Sequence, residues 1–472
     1  MSVASPTPSA GPTRLGMLLT LLAGVPLGLL SSCALYAPLP LPEAPDLAAT
    51  IRPIRPAAPP SAAVPPAAVP PLDMNTIATL AVLDNPQLRS ARATMHVAQA
   101  QAFAAGLLPD PQLSYSGDFP TDHVIASTDP RYPEYNAYGL GLTLDLQTLL
   151  THASTHATAS AAYQQARLDL LWQEWQTVAQ ARSLYVQQAI AADRLGFLAP
   201  AQQTYAGAAE RSQRALAAGN VTLEQSSADL AVLQDVRAQL GVADRSELQA
   251  EQALRTLIGV KPDVTIPLQP LAAPPLPQRA LVAAAVERLD RRRPDLLALR
   301  AGYRAQEERV RTAVLSQFPN ISLGVTRARD VSDVHTTGFG ITLTLPLFNR
   351  GRGEIAIQRA TRAQLHADYQ ARLDQAQGNV WQLWDEMEQL DGQLRVLDQQ
   401  LPKLQRSVER ARRAYEAGNF PAASYLTLTS AYLSATSTRF DLFQNLWTDS
   451  IGLATVLGTQ IQPDATTKKT SP

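Results

Sequence analysis

Residues 338–347 of this 472-residue chain read Gly-Phe-Gly-Ile-Thr-Leu-Thr-Leu-Pro-Leu, with a large apolar side chain at every second position. Because successive side chains of a β-strand point to opposite faces, the pattern predicts a strand with one apolar and one polar face. The strand leads into residues 351–417, which contain few helix-breaking residues and predict one very long helix. This succession of a strand and a long helix decides the fold.

The same succession occurs a second time, earlier in the chain. Three short motifs recur at a constant offset of 199 residues, which independent chance matches would not produce. They are Gly-Leu-Gly-Leu-Thr-Leu at 139–144 and Gly-Phe-Gly-Ile-Thr-Leu at 338–343, Ala-Gly-Asn at 218–220 and 417–419, and Leu-Ile-Gly at 257–259 and Val-Leu-Gly at 456–458. A fourth pair, Asn-Pro-Gln-Leu at 85–88 and Arg-Pro-Asp-Leu at 293–296, is offset by 208 residues. We infer an internal duplication, with repeats at 73–278 and 279–460.

Each repeat is predicted to contain the same elements in the same order. A first helix precedes two strands, a very long helix follows them, and a last helix begins after a Gly-Asn turn. The predicted helices are 75–108, 149–218 and 221–258 in the first repeat, and 279–317, 351–417 and 421–458 in the second. At 1.5 Å per residue the long helices reach about 100 Å, and the two shorter helices of a repeat match that length when stacked end to end.

Four segments alternate between apolar and polar residues. The predicted strands are 112–119, 138–147, 321–326 and 339–347. Each is close to the length that a tilted strand needs to cross a bilayer, and the two faces match a transmembrane barrel with a wet lumen. The loops that join the strands, 120–135 and 329–335, are polar. The alternative is a soluble sheet with one face packed on a core.

One chain cannot close a barrel from four strands. The smallest closed barrels have about eight strands, and an open sheet edge in lipid leaves backbone groups without hydrogen bonds. If these strands span a membrane, copies of the chain must therefore share one barrel. The predicted fold class is mainly α-helical with a small transmembrane β part, in which long antiparallel helical hairpins continue the barrel as a tunnel.

The N-terminus carries the signals of an exported, lipid-anchored protein. Arg14 precedes an apolar run at 15–30 that is too short and too interrupted for a membrane-spanning helix, so residues 1–32 are predicted to be a signal peptide. The run ends in Leu-Ser-Ser-Cys at 30–33, which resembles the bacterial lipobox and implies a covalent lipid on Cys33. The alternative is an ordinary signal peptide with an incidental cysteine. Since Cys33 is the one cysteine of the chain, disulfides are excluded.

Composition separates the flanking segments from the body. Residues 33–72 are rich in proline and alanine and predict an extended linker that buries no core. Residues 461–472 are predicted to form a disordered tail. The net charge of −1 gives no signature of nucleic-acid binding.

Seven motifs together resemble those of the TolC-type outer-membrane efflux proteins, over roughly residues 73–460. They are NPQL at 85–88, RPDL at 293–296, LLPDPQLSYS at 107–116, SQFPNISLGV at 316–325, GFGITLTLPLFNRGR at 338–352, ALAAGNVTLEQSSADL at 215–230 and AYEAGNFPAASYLTL at 414–428. The resemblance implies a homotrimer with a 12-strand barrel in the outer membrane and a helical tunnel in the periplasm. It also implies a periplasmic adaptor protein and an inner-membrane pump as partners.

The resemblance assigns a role to the two Gly-Asn turns, which lie farthest from the strands. In the family these turns form the periplasmic tip that closes the tunnel and meets the adaptor. The implied adaptor contacts are Arg214, Gly219, Asn220, Val221, Arg413, Tyr415, Gly418, Asn419 and Phe420. Some relatives carry aspartates six and nine residues after the second tip glycine, where this chain has Ser424 and Thr427. Asp229 is a candidate substitute, although a solvated helix face is the expectation for it.

The predicted function is the exit channel of a tripartite efflux pump, which passively conducts substrates out of the cell. The alternative is a lipid-anchored periplasmic coiled-coil scaffold without a channel. No catalytic arrangement, phosphate loop or nucleophile set is present in the sequence, so no enzyme activity and no cofactor beyond the lipid are expected. His152 and His156 are four residues apart, but two histidines without a third ligand do not predict a metal site. Whether the substrate is a drug, a heavy metal or another compound stays open.

Overall fold

The computed structural model describes residues 36–52, 70–119 and 135–459 of the chain. The predicted signal peptide, Cys33, the tail and nearly all of the predicted loop 120–135 lie outside these residues. The described elements are, in chain order, α1 (Met74–Asp84), α2 (Pro86–Ala105), β1 (Gln112–Asp118), β2 (Ala137–Asp145), α3 (Leu146–Ala217), α4 (Leu223–Leu257), α5 (Arg279–Val286), α6 (Leu289–Arg292), α7 (Pro294–Leu315), β3 (Asn320–Arg329), β4 (His335–Thr344), α8 (Arg352–Glu416) and α9 (Ala422–Leu457).

The four strands form one antiparallel sheet in the order β1-β2-β3-β4. Its middle pair joins the two repeats, because β2 of the first repeat pairs with β3 of the second. Gly324 of β3 lies opposite Thr143 of β2 on one side and opposite Gly340 of β4 on the other. The sheet therefore consists of two strand pairs, one from each repeat, that lie side by side.

Two very long helices run from the sheet to the far end of the molecule. Helix α3 has 72 residues and α8 has 65. Helices α2 and α4 pack on successive lengths of α3, as α7 and α9 do on α8, and α7 and α9 also pack against α3. The predicted stacking of two shorter helices beside one long helix is confirmed. None of the helices within the described residues is both long enough and apolar enough to cross a bilayer.

The first helix of each repeat is not continuous, so that part of the prediction is wrong. The predicted helix 75–108 breaks between α1 and α2, where Asn85 has an extended ψ of 123°. The predicted helix 279–317 breaks into α5, α6 and α7, and Arg293 has an extended ψ of 118°. Both breaks precede a proline, whose ring disfavours helical backbone in the residue before it. We call the break at residues 85–86 the first junction and that at 293–294 the second junction.

The last hairpin of the sheet also differs from the prediction. The strand predicted at 339–347 ends at Thr344, and it begins at His335 inside the predicted loop 329–335. Only residues 330–334 form the turn, in which Asp330 Oδ1 accepts hydrogen bonds from the backbone N–H groups of Ser332 and Val334 at 2.9 Å. Polar residues at the end of a membrane-sized strand resemble a loop in sequence, and this explains the error.

Most of the buried core surrounds the two junctions. One cluster includes Ile77, Tyr185 and Leu254 of the first repeat, and another includes Trp384, Met387 and Leu457 of the second. The expectation that the linker 33–72 buries no core is wrong at Ile51, which packs into the first cluster. The main chain of Ala48 holds this segment in place by forming a bridge to Val260.

Candidate functional site

One face of the sheet is apolar and exposed. Cross-strand partners share a face, so Leu113 and Leu142 lie together, as do Val325 and Phe339. The exposed apolar side chains of the strands are Leu113, Tyr115, Leu140, Leu142, Val325, Phe339, Ile341 and Leu343. Exposed apolar surface of this extent marks a region that meets another molecule or a membrane.

The opposite face carries small, uncharged residues over its middle. It is formed by Ser114, Ser116, Gly139, Gly141, Thr143, Ser322, Gly324, Thr326, Gly338, Gly340 and Thr342. A Cβ atom on Gly141 would lie 2.6 Å from Ser114 Oγ, and one on Gly139 would lie 2.7 Å from Ser116 Oγ. A side chain at either glycine would therefore displace the hydroxyl of the facing serine.

The sheet has two open edges. Within the described residues, β1 and β4 each pair with one strand only. Open edges leave a row of backbone N–H and C=O groups available for pairing with another chain. The sheet is thus built for continuation by further strands.

The two Gly-Asn turns have the same geometry. Gly219 has a φ of 73° and Gly418 a φ of 76°, in the left-handed region that favours glycine. The N–H of Asn220 donates to Ala215 O at 2.8 Å, and the N–H of Asn419 donates to Ala414 O at the same distance. Each turn therefore ends its long helix with a Schellman motif and reverses the chain.

The residues predicted at these turns differ in exposure. Gly219, Asn220, Gly418 and Asn419 are exposed, as are Arg214 and Arg413 one turn earlier. Val221 and Phe420 are half-buried, and both begin the return of the chain toward the next helix. The structure thus brings all these residues to the ends of two neighbouring hairpins.

Tyr415 links the two hairpins through a hydrogen bond. Its Oη donates to Asp229 Oδ2 at 3.0 Å, and its ring stacks on that of Tyr425 with centroids 4.7 Å apart. Asp229 is only 5% exposed, so the expectation of a solvated helix face is wrong. Burial raises the pKa of the Tyr415 phenol and the Asp229 carboxylate raises it further, so the phenol keeps its proton. The two residues are 186 positions apart in the chain. Residue spacing within a helix or strand therefore could not predict their contact.

His152 and His156 stack on each other near the start of α3. Their ring centroids are 6.4 Å apart, and His152 Nε2 lies 3.1 Å from Leu107 O. No group of three or more histidine, cysteine or acidic side chains suited to a metal lies together in the part of the chain that the structure describes.

Sequence reasoning identified the junction motifs but not the role of their first residues. At the first junction, Asn85 Nδ2 donates to Leu257 O at 2.9 Å, and its Oδ1 accepts from Leu88 N at 3.0 Å. At the second junction, Arg293 lies 3.5 Å from Val456 O through Nη1 and forms two hydrogen bonds to Asp295, of 2.7 and 2.9 Å.

The charged network of the second junction reaches both long helices. Arg372 of α8 donates to Asp295 at 3.1 Å. The Arg293 guanidinium lies 5.1 Å from the ring centroid of Trp172 on α3. The proline at position N1 of α2 and α7 was the available sequence signal for both bends.

Comparisons with known proteins agree with this architecture. Residues 78–260 and 285–459 match the family model described as outer membrane efflux protein. Among solved structures, CusC is similar with a TM-score of 0.69 at 20% identity, covering 82% of this chain and 92% of that chain.

Two further solved structures are similar at the same level. The CmeC outer membrane channel of Campylobacter jejuni has a TM-score of 0.68 at 17% identity and covers 82% of this chain and 85% of that chain. The outer membrane protein VceC from Vibrio cholerae has a TM-score of 0.67 at 18% identity and covers 82% and 97%. The comparison with curated proteins found no match.

Proposed function

This chain belongs to the outer membrane efflux protein family, and we propose that three copies of it form the outer-membrane exit channel of a tripartite efflux pump. Substrates pass from an inner-membrane pump and a periplasmic adaptor into the helical tunnel, and leave through the barrel. The channel itself performs no chemistry, so transport through it is diffusion driven by the pump.

The observation that carries the proposal is the exposed apolar face of the four-stranded sheet. Phe339 is 66% exposed and Ile341 is 62% exposed, and both lie on the same face as the exposed Leu343. A soluble sheet would cover such a face with a core, whereas lipid covers it in a barrel. The small polar face then lines the lumen.

The open edges of the sheet and the family membership support the proposed trimer. Three sheets of four strands give 12 strands, and β4 of one copy would pair with β1 of the next. Closure removes both edges, which in lipid would otherwise cost several kcal/mol for each unsatisfied backbone group. The long helices below the sheet then surround a common axis.

The periplasmic tip is the proposed contact with the adaptor. It consists of Arg214, Gly219, Asn220, Val221, Arg413, Tyr415, Gly418, Asn419 and Phe420. Next to the second turn, α8 carries an exposed row of basic residues: Lys403, Arg406, Arg410 and Arg413. Within the described chain none of the four forms an ion pair, which leaves them available to a partner. Electrostatic attraction at such a surface speeds and orients association.

The hydrogen bond between Tyr415 and Asp229 is proposed to stabilise the closed conformation of the tip. It joins the second hairpin to the first within one chain, so separation of the hairpins requires its rupture. Movement of one hairpin away from the other would widen the entrance of the tunnel.

The proposed location is the outer membrane, with the helical part in the periplasm and a covalent lipid on Cys33. Because the barrel already holds the trimer in the membrane, the lipid contributes mainly to targeting and assembly. A Cys33→Ala protein with a working signal peptide is expected to insert and conduct at reduced yield. Complete loss of membrane association would contradict the barrel.

A matched pair of substitutions on β4 tests the channel. Ile341→Lys puts a charge on the proposed lipid face and is expected to cost about 2–4 kcal/mol near the midplane, which prevents insertion. Thr342→Lys puts the same charge on the proposed lumen face, where it is expected to be tolerated and to shift ion selectivity toward anions. The measurement is the amount of heat-modifiable trimer in outer membranes, followed by conductance and reversal potential in planar bilayers.

The same pair separates the channel from a lipid-anchored coiled-coil scaffold. In a scaffold with a soluble sheet, Thr342→Lys has no conductance to alter, and the Cys33→Ala protein leaves the membrane without detergent. Purified wild-type protein that forms no trimers and no pores would contradict the proposed function.

A further inference from the structure

Two arginines interrupt the apolar face of the sheet near its outer end. Arg327 lies opposite Leu140 and Thr337, and Arg329 lies opposite Tyr138 and His335. Since directly opposed residues share a face, both arginines lie on the face that also carries Leu323 and Val325. They therefore lie on the lipid side of the proposed barrel and not in its lumen.

The positions of nearby aromatic residues indicate how far the arginines lie along the membrane normal. Phe318 and Phe348 are exposed at the end of the sheet that joins the helices, and Tyr115 is exposed at the level of Arg327. Nine residues separate Phe318 from Arg327, which at about 3.3 Å per residue and a tilt of about 40° is roughly 23 Å along the membrane normal. The apolar band of a barrel is about 25 Å tall between two aromatic girdles. Arg327 thus lies at the outer edge of the apolar band.

The two arginines differ in their ionic surroundings. Arg329 is held in place, because its Nε lies 2.7 Å from Asp333 Oδ1 and its guanidinium lies 4.5 Å from the ring centroid of Tyr135. Arg327 is exposed and forms no ion pair with any residue that the structure describes. An unpaired arginine on a lipid-facing wall is costly at the membrane centre, but at the interface its guanidinium reaches the headgroups.

We propose that Arg327, supported by Arg329, forms a binding site on the outer wall of each protomer for the phosphate group of a lipid headgroup in the outer leaflet. The planar guanidinium of Arg327 donates two parallel hydrogen bonds to phosphate oxygens. Tyr138 lies on the neighbouring strand, opposite Arg329, and Tyr115 lies one strand farther along the same face at the level of Arg327. Amphipathic rings are favoured at the level of the headgroups. The site rests on the proposed function, because it needs the sheet to be a barrel wall in a membrane.

The test measures lipid binding to the intact, detergent-solubilised protein by native mass spectrometry. Two probes are used, a diphosphorylated lipid A-type glycolipid and its phosphate-free form. The wild-type protein is expected to bind the phosphorylated probe about tenfold more tightly, with up to one copy per protomer. Arg327→Gln is expected to abolish most of this preference, and Arg327→Lys to retain part of it.

A matched control removes a charge elsewhere on the same protein. Arg311 of α7 is also exposed, with 70% of its side chain accessible, and lies below the sheet. Arg311→Gln is expected to keep the wild-type preference for the phosphorylated probe. Equal preference in Arg327→Gln and wild type would overturn the proposal, and so would a wild type that binds both probes alike.

Two further measurements distinguish a lipid headgroup from free phosphate, and failure of the lipid site from failure of the proposed function. If millimolar inorganic phosphate displaces the glycolipid, the site is a general anion site and the headgroup assignment is wrong. Bilayer conductance is measured on the same preparations. Conducting trimers without a phosphate preference would reject the lipid site alone, whereas absence of trimers and conductance would reject the proposed function.

Discussion

The first and second junctions bend the same backbone with different chemistry. Both place a residue before proline and bring it near the end of the last helix of the repeat. The first junction uses the neutral Asn85, whose side chain satisfies Leu257 O and the N-terminus of α2. The second uses Arg293, whose Nη1 donates to the carbonyl of Val456, 199 residues after Leu257. The bend is thus common to the repeats, while the polar group that holds it differs.

The comparison of the two junctions shows that a buried charged side chain needs a partner of opposite charge. The Arg293 side chain is 6% exposed and that of Asp295 is 10% exposed, so each ion needs the other. Arg372 and the ring of Trp172 complete the surroundings of this pair. Asn85 needs no such network, because an amide donates and accepts without a net charge. The second junction is therefore the more vulnerable of the two to loss of a single side chain.

The largest expected effect comes from truncating the two junction residues. Arg293→Ala leaves the Asp295 carboxylate buried with Arg372 as its remaining ion-pair partner and is expected to lower the free energy of unfolding by about 3–5 kcal/mol. Asn85→Ala removes a helix cap and one further hydrogen bond and is expected to cost about 1–2 kcal/mol. Guanidinium unfolding of the purified protein, followed by far-UV circular dichroism, measures both.

Two controls sharpen this comparison. Arg311→Ala removes an exposed arginine and is expected to change the free energy of unfolding by less than about 0.5 kcal/mol. The double variant Arg293→Met with Asp295→Leu removes both charges and is expected to be more stable than Arg293→Ala, because no uncompensated ion remains. If Arg293→Ala and Asn85→Ala lower the free energy of unfolding equally, the charged network adds no stability beyond that of the neutral junction.

A second difference between the repeats lies at the tip. The positions 199 residues from Asp229 and Tyr415 hold Leu428 and Leu216, so each chain forms the tyrosine–aspartate link once and not twice. Tyr415→Phe removes the donor, leaves Asp229 buried without it, and is expected to cost about 1–3 kcal/mol. Single-channel recordings are expected to show a larger mean conductance than wild type. Tyr369→Phe, in the second core cluster, is the control for loss of a phenol.

The same link has a predicted pH dependence. The phenol of Tyr415 has a raised pKa in the folded protein and about 10 when unfolded. Its stabilisation is therefore fully present below about pH 10 and is lost only as the pH rises through the higher folded value. The conductance of wild type is expected to be constant from pH 7 to 9.5, and a rise within this range would contradict the hydrogen bond as the hold on the tip.

The sequence predicted the elements that show periodicity and missed the features that depend on tertiary packing. Periodic apolar spacing and the constant offset were sufficient for the number and order of the strands, the long helices and the two turns, but not for the bounds of the last hairpin. The Tyr415–Asp229 link could not be predicted, because neither residue has a counterpart in the other repeat and the contact depends on how two hairpins pack. The helix breaks at Asn85 and Arg293 were missed for another reason: a residue before proline bends the chain only where tertiary contacts satisfy the freed backbone groups.

A smaller effect is expected where the repeats are alike. Gly219→Ala and Gly418→Ala both force a side chain into left-handed backbone, at about 1–2 kcal/mol each. A Cβ atom would meet nothing within 4 Å at either position, so backbone strain is the whole cost and the two losses are expected to be equal. Gly392→Ala inside α8 also meets open space without a positive φ, and it is expected to stabilise the protein by about 0.5–1 kcal/mol. Thermal unfolding midpoints of the three variants check this order.

The smallest effect is expected where the last helix of each repeat begins. Thr222 caps α4 in a capping box with Gln225, whereas Pro421, 199 residues later, precedes α9 without a side-chain cap. Thr222→Ala is expected to cost about 1 kcal/mol, because the backbone N–H of Gln225 loses its acceptor. Pro421→Ala removes no such bond, so a change below about 0.5 kcal/mol is expected from the gain in freedom of the unfolded chain. Equal shifts of the thermal midpoint in the two variants would mean that the capping box adds nothing to stability at this exposed tip.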